Sequence, residues 1–443
     1  MTREIFLKLI QAREFKAVQS VLNVMNPVDI AALLEDLEGT DLALAFRLIP
    51  KDRAAETFSE MRPSRQACLV ERFTDTELKA LLDALFLDDT VDLLEELPAN
   101  LVTRILAAVD KDKRAQINTL LGYPEDSAGS IMTTEYVRLK PDMTVVQAID
   151  QIRKTGIHKQ TIYTCYVLEA RQLVGIVSAK DLLTADDAVR VGDIMTRRIV
   201  SVNTTADRED VAKLLSKYGF LALPVLDAQG YMVGIVTIDD AVDVLEAETT
   251  EDLSIMAAVN PSEKPYFESS VWDHARNRIV WLLVLMFSAI ATGSILTYYE
   301  NAFQAIPLLV SFVPMLMDTG GNCGSQSSTL IIRGLALEEI RLTDIFRVMF
   351  KELRIALLVG FTLAAANGLR ILITYRSVKM AFVIALSLMA TVIISKLIGC
   401  TLPLLAKKVR LDPAIMAAPL ITTLVDTCSV MIYFAIATRV FGL

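Results

Sequence analysis

Asp426 lies at the thirteenth position of residues 414–438, a 25-residue stretch that carries no other charge. About 20 apolar residues cross a bilayer core as a helix, and a carboxylate at the middle of one costs at least about 2.5–3.5 kcal/mol. Such a group belongs on a wet or interior face, where it either meets a cation or packs as a protonated or hydrogen-bonded carboxyl. Upstream, the apolar stretch 303–337 carries Pro314, Gly320, Gly321, Asn322, Gly324 and Gln326. Asn322 and Gln326, at i and i+4, share a helical face. Their amide oxygens suit a hard, strongly hydrated cation such as Mg2+. The glycines admit two readings, backbone unwound beside a cavity or helices packed closely.

A second set of carboxylates lies in polar sequence. DDTVDLLEEL (88–97) puts Asp88, Asp92 and Glu95 at i, i+4 and i+7, on one face of a helix, and Glu248, Glu251 and Asp252 form another one-sided patch. These faces are either solvated surface or places where divalent cations bridge carboxylates.

The elements that must hold these groups fall into four parts. Residues 1–122 show helical periodicity with breaks at Pro27, Pro50, Pro63 and Pro98, and a loosely recurring motif that suggests an α-superhelix. Residues 123–243 carry an α/β unit twice: TIYTCYVLEARQLVGIVSAKDLL (161–183) and FLALPVLDAQGYMVGIVTIDDAV (220–242), each preceded by an IMT segment. Residues 244–278 read as one long connecting helix, and residues 279–443 as five apolar segments. The expected fold class is therefore multidomain, from an all-α N-terminal superhelical domain to an α-helical membrane domain with five transmembrane helices.

Charge divides the chain in the same way. Residues 1–278 carry 45 acids against 31 bases, whereas residues 279–443 carry 8 against 13. An acidic, soluble-looking front excludes nucleic acid as a partner and favours divalent cations or basic surfaces. The five scattered cysteines read as reduced thiols in a cytosolic front, and the charged amphipathic start shows no signal peptide. Arg276, Arg278, Arg341, Arg347, Lys351, Arg354, Lys407, Lys408 and Arg410 flank the apolar segments on the side that the positive-inside rule makes cytoplasmic. Five crossings then leave the C-terminus outside, in a multi-pass inner-membrane protein. The two histidines, His158 and His274, lie outside the apolar segments without an HExxH motif, which excludes an intramembrane metalloprotease. No enzymatic activity is expected.

The doubled GIV[ST]-x-x-D unit resembles a tandem pair of CBS domains. The whole order of parts resembles the MgtE family of magnesium channels and transporters, as do P-x-L-x-x-x-G-G-N-x-G-x-Q (Pro314–Gln326) and L-V-D-T (Leu424–Thr427). The resemblance implies a homodimer with its pore on the two-fold axis and Asp426 on hydrated Mg2+. It further implies that cytosolic Mg2+ bridges acids of the N-terminal domain, the CBS pair and the connecting "plug" helix. These are Asp88, Asp92, Asp207, Glu209, Asp240, Asp243, Glu248, Glu251 and Asp252. CBS pairs often hold an adenine nucleotide such as ATP, and the likeness puts Asp181 and Asp240 at the ribose-binding aspartate position. Two departures stand out. Lys217-Tyr218-Gly219 stands where an acid is expected, and Asp318 adds a charge that the motif does not call for.

The expected function is Mg2+ influx that closes as cytosolic Mg2+ rises. Two like charges at about 4 Å repel by about 4 kcal/mol at an effective dielectric of 20, so bare acids splay the cytosolic parts and bridged acids close them. An ion-coupled divalent-cation carrier or exporter is the alternative. Lys396, inside the fourth apolar segment, has no role visible in the sequence beyond snorkelling or pairing with a carboxylate.

Overall fold

The computed structural model describes residues 3–262 and 265–442. Met1 and Thr2 of the amphipathic start, Glu263 and Lys264 of the connecting stretch, and the final Leu443 lie outside the described residues. The chain divides into two compact units, Met1–Glu246 and Ala247–Leu443.

Among the described residues the first unit opens with ten short helices, from α1 (Arg3–Gln11) to α10 (Lys111–Leu120). Their starts follow from sequence. Pro27 and Pro63 occupy the first turns of α3 (Pro27–Leu34) and α6 (Pro63–Arg72), where an amide hydrogen is not needed. A Thr74–Glu77 capping box opens α7 (Asp75–Ala84). Leu and Ile at helical spacing then bury one face of each short helix, giving a continuous apolar core.

Two three-stranded sheets follow, β1 (Tyr136–Leu139) with β2 (Thr161–Glu169) and β3 (Gln172–Ser178), and β4 (Val202–Asn203) with β5 (Ala222–Leu226) and β6 (Met232–Thr237); the helices α11 (Val145–Thr155), α12 (Ala179–Thr184), α13 (Val191–Ile194) and α14 (Arg208–Tyr218) lie between their strands in the chain. In each, the first pair is parallel and the second antiparallel. The repeat motifs interlock. A Cβ on Gly175 would lie 2.3 Å from Met195 Sδ, and one on Gly234 2.7 Å from Met132 Sδ, so the IMT methionine of each half sits on the glycine of the other. Bridges Thr133–Ile235 and Ile176–Thr196 fix the same exchange in the backbone.

The connecting segment departs from the expected single helix over 244–278. Helix α15 (Ile238–Met256) starts directly from β6 and ends well before the membrane part, and α16 (Val271–Tyr298) begins with its own Ser270–Asp273 capping box. Ala258 takes a positive φ, and Pro261 and Pro265 bar helix continuation. The intervening chain is pinned to α16 by Asn260, whose amide donates to the Asn277 carbonyl (2.9 Å) and whose side-chain oxygen accepts from Trp281 Nε1 (3.1 Å).

The second unit contains α16, a short α17 (Glu300–Ala305), α18 (Val313–Ala336), α19 (Ile345–Tyr375), α20 (Val378–Lys408) and α21 (Ala418–Phe441). Four of these, α16, α19, α20 and α21, are long and apolar enough to cross a membrane. The remaining long helix, α18, has 24 residues but is diluted by Asp318, Asn322, Gln326, serines and glycines. The last apolar segment becomes helical only at Ala418, because residues 413–416 form a separate 3-10 turn capped by Asp412.

Candidate ion path and acidic cluster

Helix α18 is built to lie close to its neighbours on one side and to stay polar on the other. A Cβ on Gly320 would come within 2.8 Å of Ser429 Oγ and 2.9 Å of Val425 Cγ1. One on Gly321 would approach Thr422 at 3.0 Å, one on Gly324 Ile421 at 2.7 Å, and one on Gly399 of α20 the Gly324 carbonyl at 2.2 Å. The glycines are therefore packing positions where α18 meets α20 and α21, and α18 remains continuous helix through them. Because that side is consumed by packing, Asp318, Asn322 and Gln326, spaced four apart, are left exposed on the other. Asp426 is half-buried on α21, one residue from Val425 in the glycine contact, and it interacts by charge with Asp318. Its neighbour Thr427 shares a hydrogen bond with Thr292 of α16 at 2.8 Å, and Ser328 of α18 donates to the Met416 carbonyl at 2.6 Å just before α21 starts.

Lys396 finds its partner inside the unit. Its ammonium donates to Ser327 Oγ (3.1 Å), Ser327 donates to Glu352 Oε2 (2.6 Å), and the ammonium stands 3.8 Å from the same carboxylate. Lys396 and Glu352 are 5% and 6% exposed. The three residues tie α20, α18 and α19 together, with Ser327 one residue past Gln326. Snorkelling is thereby excluded. Glu352 escaped the sequence reading because it sits in KELR (351–354), which reads as the basic flank of an apolar segment.

In the first unit, α8 (Leu87–Glu96) faces the start of α15, and acids meet acids. Asp88 is 7% exposed, and one of its carboxylate oxygens has no hydrogen-bond partner. Burial, then the charge of Asp240, raises its pKa well above the ordinary range. Burial and Asp240 push Asp92 up to about 7. Burial, with Asp239 nearby, does the same to Asp240 even though Thr237 donates to it at 2.5 Å. Asp89 rises to about 6 through burial and the charge of Glu60, and Asp243 and Glu135 are raised too, burial leading. Lys113 tempers Asp89 and Glu135, but its ammonium is turned to the Leu82 and Leu85 carbonyls at 2.5 and 2.8 Å.

The expected residues thus separate. Asp88, Asp92, Asp240 and Asp243 come together, joined by Asp89 of α8 and Asp239 of α15, which adjoin them in sequence, and by Glu60 and Glu135, which spacing could not single out because they lie in loops far along the chain. Glu95 lies at the edge of its expected face, under the charges of Glu125 and Arg208. Asp207 caps α14 (Arg208–Tyr218) by accepting from the Glu209 amide, and Glu209 pairs with Lys213 at 2.6 Å. Glu248, Glu251 and Asp252 continue along α15 past Glu246, where the first unit ends. Asp181 is exposed and accepts from Ser178 at 2.6 Å, the counterpart of the Thr237–Asp240 pair. Among the described residues no three His, Cys, Asp or Glu side chains stand close enough to hold a metal ion. The acids are buried near one another without forming a ligand shell.

Comparison with known proteins agrees with this division. Residues 313–436 match the MgtE divalent cation transporter family, residues 25–126 the MgtE intracellular N domain, and residues 128–188 and 191–247 CBS domains. The magnesium transporter MgtE of Thermus thermophilus is 37% identical over 97% of this chain and 96% of its own length. That of Bacillus subtilis is 32% identical over 97% and 95%. The cytosolic domain of the Mg2+ channel MgtE, solved in complex with ATP, superposes with a TM-score of 0.52 at 36% identity, covering 55% of this chain and 100% of that one. The soluble part of a magnesium transporter gives 0.52 at 27% identity, covering 56% and 97%. From its N-terminal helices to its polar α18 and Asp426-bearing last helix, this chain belongs to the MgtE family.

Proposed function

We propose that the protein carries Mg2+ across the cell membrane as a homodimeric channel or transporter whose acidic front senses cytosolic Mg2+. The observation that carries this reading is the pairing of two features in one chain. One is an apolar unit in which α18, carrying the exposed Asn322 and Gln326, packs through its glycines on α21, the helix of the half-buried Asp426. The other is a soluble unit in which the buried Asp88, Asp92 and Asp240 face one another, with the Lys113 ammonium turned to backbone carbonyls. The relatives named as magnesium transporters support the choice of ion.

Amide oxygens with one carboxylate suit a cation that keeps much of its hydration. In the front, mutual repulsion of Asp88, Asp92 and Asp240 resists packing of α8 on α15, and a divalent ion bridging them removes the resistance. Asp243, Glu248, Glu251 and Asp252 extend that response along α15, and Asp207 and Glu209 are assigned to a further sensor site at the start of α14. Moving a gate from 1:99 to 99:1 takes about 5.5 kcal/mol of differential binding, which calls for several sites acting together. ATP is assigned to the CBS pair, with Asp181 and Asp240 as the ribose-binding candidates, a reading supported by the related cytosolic domain solved in complex with ATP. The N-terminal unit is assigned to the cytoplasm and the C-terminus to the outside, with α18 as a fifth, protein-shielded crossing.

The test is uptake by liposomes holding the full chain, at fixed external and varied internal Mg2+. Uptake should fall as internal Mg2+ rises, and Asp426→Ala should abolish it while the protein remains folded. Wild-type flux in that variant removes Asp426 from the path. Flux that requires a sodium or proton gradient makes the protein a coupled carrier.

A further inference from the structure

We propose that Asp318 is a second carboxylate of the ion path, set one to two helical turns from Asp426, and that it raises the preference of this protein for divalent over monovalent cations. The inference rests on the transport reading above and adds a residue that the motif shared with the family does not supply.

Position is the first argument. Asp318 lies on the face of α18 that also presents Asn322 and Gln326, while the opposite face is closed by the glycine contacts. Those contacts also fix the register of α18 against α21. Gly320 meets Val425 and Ser429, Gly321 meets Thr422, and Gly324 meets Ile421, so the two helices run antiparallel. Along the shared stripe the order is then Asp318, next Asp426 with Asn322, and last Gln326.

The second argument is the want of a partner. Among the described residues Asp318 makes no ion pair, and the ion pair within the membrane unit is the separate Lys396–Glu352 contact. Arg370, the guanidinium that reaches α18 nearby, points to Met315 Sδ at 3.8 Å. A lone carboxylate against hydrocarbon would cost about 2.5–3.5 kcal/mol or more, so the face that bears it is wet. Asp318 and Asp426 also feel each other's charge. Two carboxylates in series repel each other unless a cation stands near both. A doubly charged ion gains twice the Coulomb energy of a monovalent one from the same site.

The experiment uses the full chain in liposomes and compares wild type, Asp318→Asn and Asp318→Glu. Initial Mg2+ uptake is measured against external Mg2+, together with sodium flux through the same vesicles. Removing one charge about 8 Å from a divalent ion in a watery path should raise KM about fivefold. Vmax should change little, the salt dependence of KM should flatten, and sodium flux should rise relative to Mg2+. Asp318→Glu should restore all of these. An unchanged KM in Asp318→Asn, or an Asp318→Glu variant no better than Asp318→Asn, overturns the proposal, since a packing role would not be rescued by carboxylate alone. If Asp318→Asn fails to fold, Asp318→Ser is read by the same criteria. Wild-type vesicles that take up no Mg2+ would overturn the transport reading itself, and this inference with it.

Discussion

The two units of this chain bury carboxylates in opposite ways. In the membrane unit the buried Glu352 is answered from within the chain, by Lys396 directly and through Ser327. In the front unit Asp88, Asp92 and Asp240 are answered by more acids, and the pKa values rise because the neutral form is the one that tolerates such surroundings. An internally paired charge makes a fixed strut. Unpaired acids make a joint whose closure depends on what the solvent supplies. The difference teaches where this protein is rigid and where it responds.

The comparison can be broken most sharply at the strut. Lys396→Met leaves Glu352 buried without its cation and should cost about 3–5 kcal/mol, seen as loss of folded protein or a large drop in thermal stability in detergent. Adding Glu352→Gln to it should recover most of that loss. If the double variant is as unstable as the single one, the pair is not what stabilises the contact. A milder break is Gly399→Ala. Its methyl would press on the Gly324 carbonyl, forcing α20 from α18 at about 1–3 kcal/mol, with Mg2+ flux reduced along with stability.

At the joint, the expected effects concern ion response more than stability. Asp88→Asn, Asp92→Asn and Asp240→Asn combined should render the front protease-resistant without Mg2+ and flatten its Mg2+ dependence. Protection that still rises normally with Mg2+ would remove these acids from sensing. The smallest effect is on pH. With Mg2+ absent, the packed front holds protons on Asp92 and Asp240 up to about pH 7, whereas the free carboxyls release theirs near the ordinary value of 3.8. Packing is then strongest below about pH 4 and weakens as pH rises towards 7. Protease resistance in Mg2+-free buffer should therefore be greater at pH 5.5 than at pH 8. The opposite trend would show that these groups are not buried against one another.

Much of the architecture was legible in residue order. Two GIV[ST]-x-x-D repeats announce two equivalent sheets, because a strand followed by a capped helix is a local event. Proline and capping residues mark helix starts for the same reason. The connecting helix was read too long because its acidic, helix-favouring start was extended through Pro261 and Pro265, which with the αL residue Ala258 end the helix at Met256. The exchange of Met132 and Met195 between halves could not be read, since Met132 packs on Gly234 and Met195 on Gly175, and nothing local in the repeat says which glycine each methionine covers.

For the sites, residue order alone determined that a carboxylate stands within a long apolar segment, that amides share one face of α18, and that the front is acidic. Helical spacing is a property of the chain by itself, so i and i+4 neighbours need no fold to be found. Tertiary structure alone decided that Lys396 meets Glu352, that the glycines serve packing and so turn Asp318, Asn322 and Gln326 outward, and that Asp240 rather than Glu95 faces Asp88. Those outcomes depend on which helices touch, and at contact distance a single charge or a missing Cβ settles the energy.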